Sequence, residues 1–126
     1  IIKNSGDKPV YFGSSVQSRI YGPYEEELYI EGLAFKYSEE RYDNIAILKR
    51  NIEQKFLLDY LTIDLSNDIS KSVVEHSNFN YMMAFIKLYD HYKLSGDNAK
   101  AEWIKGLAEN IANSRSNNDK IMQQFQ

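Results

Sequence analysis

The densest group of hard oxygen donors in the chain is Glu25-Glu26-Glu27 with Glu31. Such donors suit a hard divalent cation when a loop bends them toward one point. No Asp/Gly loop accompanies them, so a solvated acidic face is expected. Glu39, Glu40 and Asp43 offer the carboxyl pair that glycoside hydrolysis needs. Neighbours in one turn, they too are expected to face water. His76 and His91 are the only histidines, and the chain has no cysteine. That falls short of a zinc ligand set and excludes thiol chemistry and disulfides. No G-x-S-x-G elbow and no glycine-rich phosphate loop occurs. No catalytic residue, metal ligand or cofactor is therefore expected. The surface candidate is the turn Tyr21-Gly22-Pro23-Tyr24 with Arg19 beside it. Two tyrosine rings next to a cation can stack on a sugar or hold a peptide, so Arg19, Tyr21 and Tyr24 are the expected ligand-binding residues.

These side chains need a scaffold, and 126 residues leave room for one domain. Its expected limits are residues 1–112, with a polar, frayed tail over 113–126. The start at Ile1-Ile2-Lys3-Asn4 reads as the last turn of a helix cut in mid-course, so the chain is expected to be a fragment of a longer protein. A net charge of -3 without a basic run argues against binding a phosphate backbone, so no nucleic-acid partner is expected. No apolar run approaches the length of a membrane span.

Pro9–Phe12 reads as a strand, because the residue before a proline is pushed toward extended backbone. Residues 13–24 read as a loop. Over Glu27–Tyr37 the apolar alternation changes parity: Leu28 and Ile30 are even, while Leu33, Phe35 and Tyr37 are odd. A β-bulge at Glu31-Gly32 would absorb the extra residue and keep both halves facing the core. Asp43 or Asn44 caps a helix. The stripe Ile45, Leu48, Ile52, Phe56 and Tyr60 extends it for about five turns. Residues 62–78 are polar and broken, with a short element at Val73-Val74. Ser77 or Asn78 caps the next helix, striped by Tyr81, Phe85, Leu88 and Tyr92. Gly96 ends it and Asp97 caps a last helix, striped by Ala99, Trp103, Leu107 and Ile111. Ile121, Met122 and Phe125 suit a final short amphipathic turn.

The expected fold class is α+β: short strands with a β-bulge, then three amphipathic helices. The expected core is Val10, Phe12, Leu28, Ile30, Leu33, Phe35, Ile45, Leu48, Ile52, Phe56, Phe85, Leu88, Trp103 and Leu107. The last two helices resemble one tetratricopeptide unit, with Phe85, Leu88, Tyr92, Gly96, Ala101 and Ala108 at matching spacings. Tyr89 departs from it where the repeat has a small residue, and Lys105 where it has an aromatic one.

Several motifs in order carry a wider resemblance: Lys8-Pro9-Val10-Tyr11-Phe12, Leu28-Tyr29-Ile30-Glu31-Gly32-Leu33-Ala34-Phe35-Lys36-Tyr37, Lys49-Arg50-Asn51, Asn80-Tyr81, and Gly96-Asp97 with Lys100-Ala101. Together they resemble the soluble C-terminal portion of a family of multi-spanning membrane proteins. That family is common in Bacteroidetes and similar to protein O-mannosyltransferases. The resemblance implies that any glycosyl-transfer residues lie upstream, in a membrane half. This chain would then be a non-catalytic accessory domain on the periplasmic side of the bacterial inner membrane. Its implied partners are the membrane-spanning part of the parent chain and a protein or glycan acceptor. The alternative is a free-standing tetratricopeptide-like module that binds a peptide or partner helix.

Overall fold

The computed structural model describes residues 2–64, 67–113 and 118–126, and it is a mixed α+β fold. Strand β1 (Tyr11–Gly13) leads through a short helix α1 (Ser18–Tyr21) and a 3-10 segment (Gly22–Glu27) to strands β2 (Leu28–Ile30) and β3 (Ala34–Tyr37). The three strands form an antiparallel sheet in the order β1-β3-β2. Helices α2 (Asn44–Arg50), α3 (Lys71–Asn78), α4 (Met82–Ser95), α5 (Asn98–Ala112) and α6 (Asn118–Met122) follow.

The parity change near Gly32 has a different cause from the bulge expected. The chain reverses there: Leu28 opposes Tyr37 and Ile30 opposes Phe35, and the Glu31 N–H donates to the Ala34 carbonyl at 3.2 Å. Even positions of β2 thus pair with odd positions of β3, so Leu28, Ile30, Phe35 and Tyr37 share one face. A tight hairpin and a bulge leave the same parity signature. Leu33, expected in the core, sits on the hairpin tip and is exposed. Val10, Phe12 and Leu28 are half-buried rather than core, and the Tyr24 ring stacks over Phe12. Gly32 is needed for space, not for a positive φ. A β-carbon there would lie 2.7 Å from Cζ of Phe56 and 3.0 Å from its Cε2. Gly32→Ala is expected to destabilise the fold by about 1–3 kcal/mol, the usual penalty of overpacking. In urea titrations, adding Phe56→Leu should recover part of that loss. A change below about 0.5 kcal/mol would mean that the ring steps aside freely.

Asp43 caps α2 as expected, its side chain accepting from the Ala46 N–H at 3.1 Å. The five-turn helix does not form. After Arg50 the chain widens into a π-helical turn (Asn51–Lys55), Phe56 is extended, and a 3-10 turn (Asp59–Thr62) carries Tyr60. The Asn51 amide donates to the Glu31 carbonyl at 2.7 Å, which ties the widened turn to the hairpin. Leu48 and Ile52 are nonetheless buried, with Ile45 and Phe56 packed against the core.

Residues 65–66 of the polar segment lie outside the described residues, and the short element expected at Val73-Val74 is a helix. Val73 and Val74 lie on α3, which passes through a 3-10 turn (Phe79–Tyr81) into α4. Asn78 is therefore buried at a helix end and makes no cap, and neither Ser77 nor Asn78 starts α4.

Helices α4 and α5 form the expected antiparallel hairpin. Gly96 closes α4 at φ +80°, the left-handed region where glycine carries no penalty. Asp97 caps α5 by accepting from the Lys100 N–H at 3.1 Å. Phe85, Leu88 and Tyr92 are buried as expected, but the stripe of α5 is rotated. Its buried residues include Ala101, Ile104, Leu107, Ala108 and Ile111, whereas Ala99 is exposed. At 3.6 residues per turn each step of four drifts about 40° around the axis, so the row from Ala99 to Ile111 does not stay on one face. Trp103, read as core, is 41% exposed. Trp103→Ala should accordingly change stability by less than about 1 kcal/mol. A larger loss in urea melts would show its ring packed under a neighbour.

Part of the stretch expected to fray is described. Residues 114–117, near its start, lie outside the described residues. Beyond them α6 and a last 3-10 turn (Gln123–Phe125) fold back, and Phe125 is 0% exposed. Its ring meets Tyr89 edge-on at 5.2 Å. That contact explains a tyrosine where a close-packed helical pair has a small residue. No helix among the described residues is long and apolar enough to cross a membrane.

Candidate functional site

The expected ligand loop is helical, and its three residues go to different places. Arg19 is exposed on α1. Tyr24 follows on the 3-10 segment. Its ring lies 6.2 Å from Phe12 and 5.9 Å from Tyr37, over the end of the sheet. Tyr21 is half-buried and tilts against Phe35 at 5.7 Å.

Tyr21 also lines a cavity of about 400 Å³ between the sheet, the start of α4 and α6. This falls in the size range of ligand pockets, about 300–1,000 Å³. Its apolar walls are Tyr21, Phe35, Phe79, Met82, Met83, Ile86 and Ile121. Ser14, Asn80, Lys120 and Gln124 supply the polar groups. Methionines are unbranched and polarisable, so such a wall adapts to its occupant. The turn Phe79–Tyr81 swings Asn80 and the Met82-Met83 pair toward the sheet, and the return of α6 supplies the remaining side. Among these residues only Tyr21 was expected as a ligand contact; Phe35 was read as core and Ile121 as part of a short amphipathic turn. The paired methionines and the Ile121-Met122 turn were the available signals for the rest.

The outer face of the sheet carries a separate polar cluster. Tyr42 donates its hydroxyl to Glu31 at 2.7 Å, and Tyr11 does so at 3.4 Å. Tyr29 packs on Tyr42 at 4.8 Å, and the Lys36 ammonium sits 5.1 Å from the centre of the Tyr42 ring. Partial burial, then the Glu31 hydrogen bond and charge, pushes the Tyr42 phenol well above its ordinary range. Burial, followed by the same carboxylate, raises Tyr11. Both phenols stay protonated at neutral pH and serve as donors. Glu31 is thus engaged by side chains of its own fold.

A third cluster joins α2 to the helical hairpin. Glu53, on the π turn, accepts from the Tyr92 hydroxyl and from the Lys100 ammonium, the latter at 3.0 Å. Lys49 and Lys100 lie 5.9 and 5.7 Å from the centre of the Tyr92 ring. Burial alone would push the Glu53 carboxyl up. Hydrogen bonds from Tyr92 and Lys100, with the charges of Lys100 and Lys49, outweigh it and hold the group below the usual carboxylate range. Burial, then the Glu53 bond, drives the Tyr92 phenol far above its usual value. An ionised acid next to a neutral phenol has no proton to exchange near neutral pH. This cluster is a strut, not an acid–base pair.

The other sequence candidates are dispersed. Asp43 serves as a cap, and Glu39 accepts from Tyr37 at 3.2 Å. His76 lies in the last turn of α3, while His91 packs edge-on against Tyr92 at 5.6 Å. Glu25, Glu26 and Glu27 follow one another on the 3-10 segment. Among the described residues, no group of three or more His, Cys, Asp or Glu is placed to hold a metal ion.

Comparison of the chain with family models, curated proteins and solved structures finds no match in any of the three.

Proposed function

We propose that this chain is a binding domain rather than a catalytic one, and that it serves as the periplasmic accessory domain of a membrane-embedded, glycosyltransferase-like parent protein. The observation that carries the binding reading is the cavity of about 400 Å³ beside Tyr21, walled by aromatic, methionine and isoleucine side chains with few polar groups. A pocket of that composition holds a ligand by burial and orients it with one or two polar contacts. The accessory reading rests on the ordered motifs from Lys8 to Ala101 and their resemblance to the soluble portion of that family.

A second reading is a free-standing, tetratricopeptide-like interaction module. It is favoured by the α4–α5 hairpin, whose outer surface exposes Leu94 and Trp103. Fractionating source cells with an antibody against this domain separates the two. The accessory reading expects a product larger than 14.7 kDa in the membrane fraction, cleaved by protease added to spheroplasts. A soluble product of the chain's own mass would overturn it in favour of the module.

A further inference from the structure

We infer that the cavity beside Tyr21 takes a single-chain amphiphile with a carboxylate head. This rests on reading that cavity as the ligand site. The argument is one of charge and shape. The chain is acidic overall at -3, yet no acidic residue lines the cavity, and Lys120 is its one charged lining residue among those described. A ligand seated there meets a positive charge with no carboxylate among the described lining residues. Apart from Ser14, Asn80 and Gln124 the rest of the wall is apolar, so most of the buried part of the ligand is apolar too. A volume of about 400 Å³ is of the size that one hydrocarbon chain fills.

The head group follows from the polar lining. One ammonium balances one negative charge, and the Asn80 and Gln124 amides and the Ser14 hydroxyl are neutral hydrogen-bonding partners. A dianionic phosphate would leave one charge unbalanced, and phosphate sites gather further cations or a bidentate arginine. Met82 and Met83, unbranched and adaptable, let the wall follow a flexible tail.

The test is an NMR titration of the whole chain with methyl-labelled methionines. The probes are laurate, dodecanol and dodecyl phosphate, each kept below its micelle-forming concentration. The expected result is saturable shifts at Met82 and Met83, with laurate bound tighter than dodecanol. Lys120→Gln should weaken laurate by about five- to tenfold, as loss of a partly screened charge contact does, and leave dodecanol unchanged. Lys120→Arg should restore laurate binding. Equal affinity for laurate and dodecanol, or no effect of Lys120→Gln, would overturn the head-group assignment and leave the cavity standing as a ligand site. Tighter binding of dodecyl phosphate than laurate would overturn the carboxylate in favour of a phosphate. No shifts with any probe would overturn both this inference and the ligand-site reading beneath it.

Discussion

Phe125→Ala is expected to destabilise this protein by about 3–5 kcal/mol. Phe125 follows a polar stretch in which its only apolar neighbours are Ile121 and Met122. Here its ring is fully buried and packs edge-on against Tyr89 of α4. Removing it opens a cavity, strands the Tyr89 ring and frees α6 from the hairpin. The cavity beside Tyr21 loses a wall at the same time, because Lys120, Ile121 and Gln124 come from this returning segment. Urea unfolding gives the stability change, and the Met82 and Met83 methyl signals report the loosened wall. A loss under about 1 kcal/mol would mean that residues 118–126 fray without loss to the core.

Glu53→Ala is the second large expected effect, about 2–3 kcal/mol. It leaves the Tyr92 hydroxyl buried without its acceptor and deprives Lys100 of its ion pair. Tyr92→Phe in the same chain removes the orphaned hydroxyl and should recover part of the loss, which a double-mutant cycle reads directly. The effect is pH-dependent with a definite sign. The folded state holds the Glu53 carboxyl below its ordinary value of 4.5. Its contribution is therefore complete above that value and disappears as the pH falls through the lower, folded one. The stability gap between wild type and Glu53→Ala should be constant near neutral pH and shrink below about pH 4.5. Asp68 is also held low, by the side-chain and backbone hydrogen bonds from Ser70. It is common to both proteins and cancels in the comparison. A gap that persists undiminished in acid would show that the Glu53 charge does not stabilise the strut.

The same two sites show where sequence reasoning reached. It named Phe125 as part of an amphipathic turn, but a lone aromatic after a polar stretch does not reveal its partner. Nothing local joins Glu53 to Tyr92, because they are 39 positions apart. The parity change near Gly32 was visible, and it admitted two physical solutions. Only the pairing of Ile30 with Phe35 chooses the hairpin over the bulge. The five-turn helix was periodic enough in apolar residues. It is interrupted because Asn51 bonds the Glu31 carbonyl and Phe56 must reach the space above Gly32. For the cavity, Tyr21 was legible and its companions were not, since its walls come from three stretches of chain around residues 14–35, 79–86 and 120–124.

What the sequence determined by itself is what short-range physics decides. Asp43 and Asp97 cap their helices because each side chain reaches an N–H three residues on. Gly96 ends α4 because only glycine enters a positive φ without penalty. The buried row of α4 follows from the helical period. Tertiary structure decided the hairpin register, the π turn, the rotation of α5 and the return of α6. Each depends on which distant surface an apolar side chain buries against. That choice is settled by the free energy of the whole packed core, of which a local stretch of sequence holds only one side.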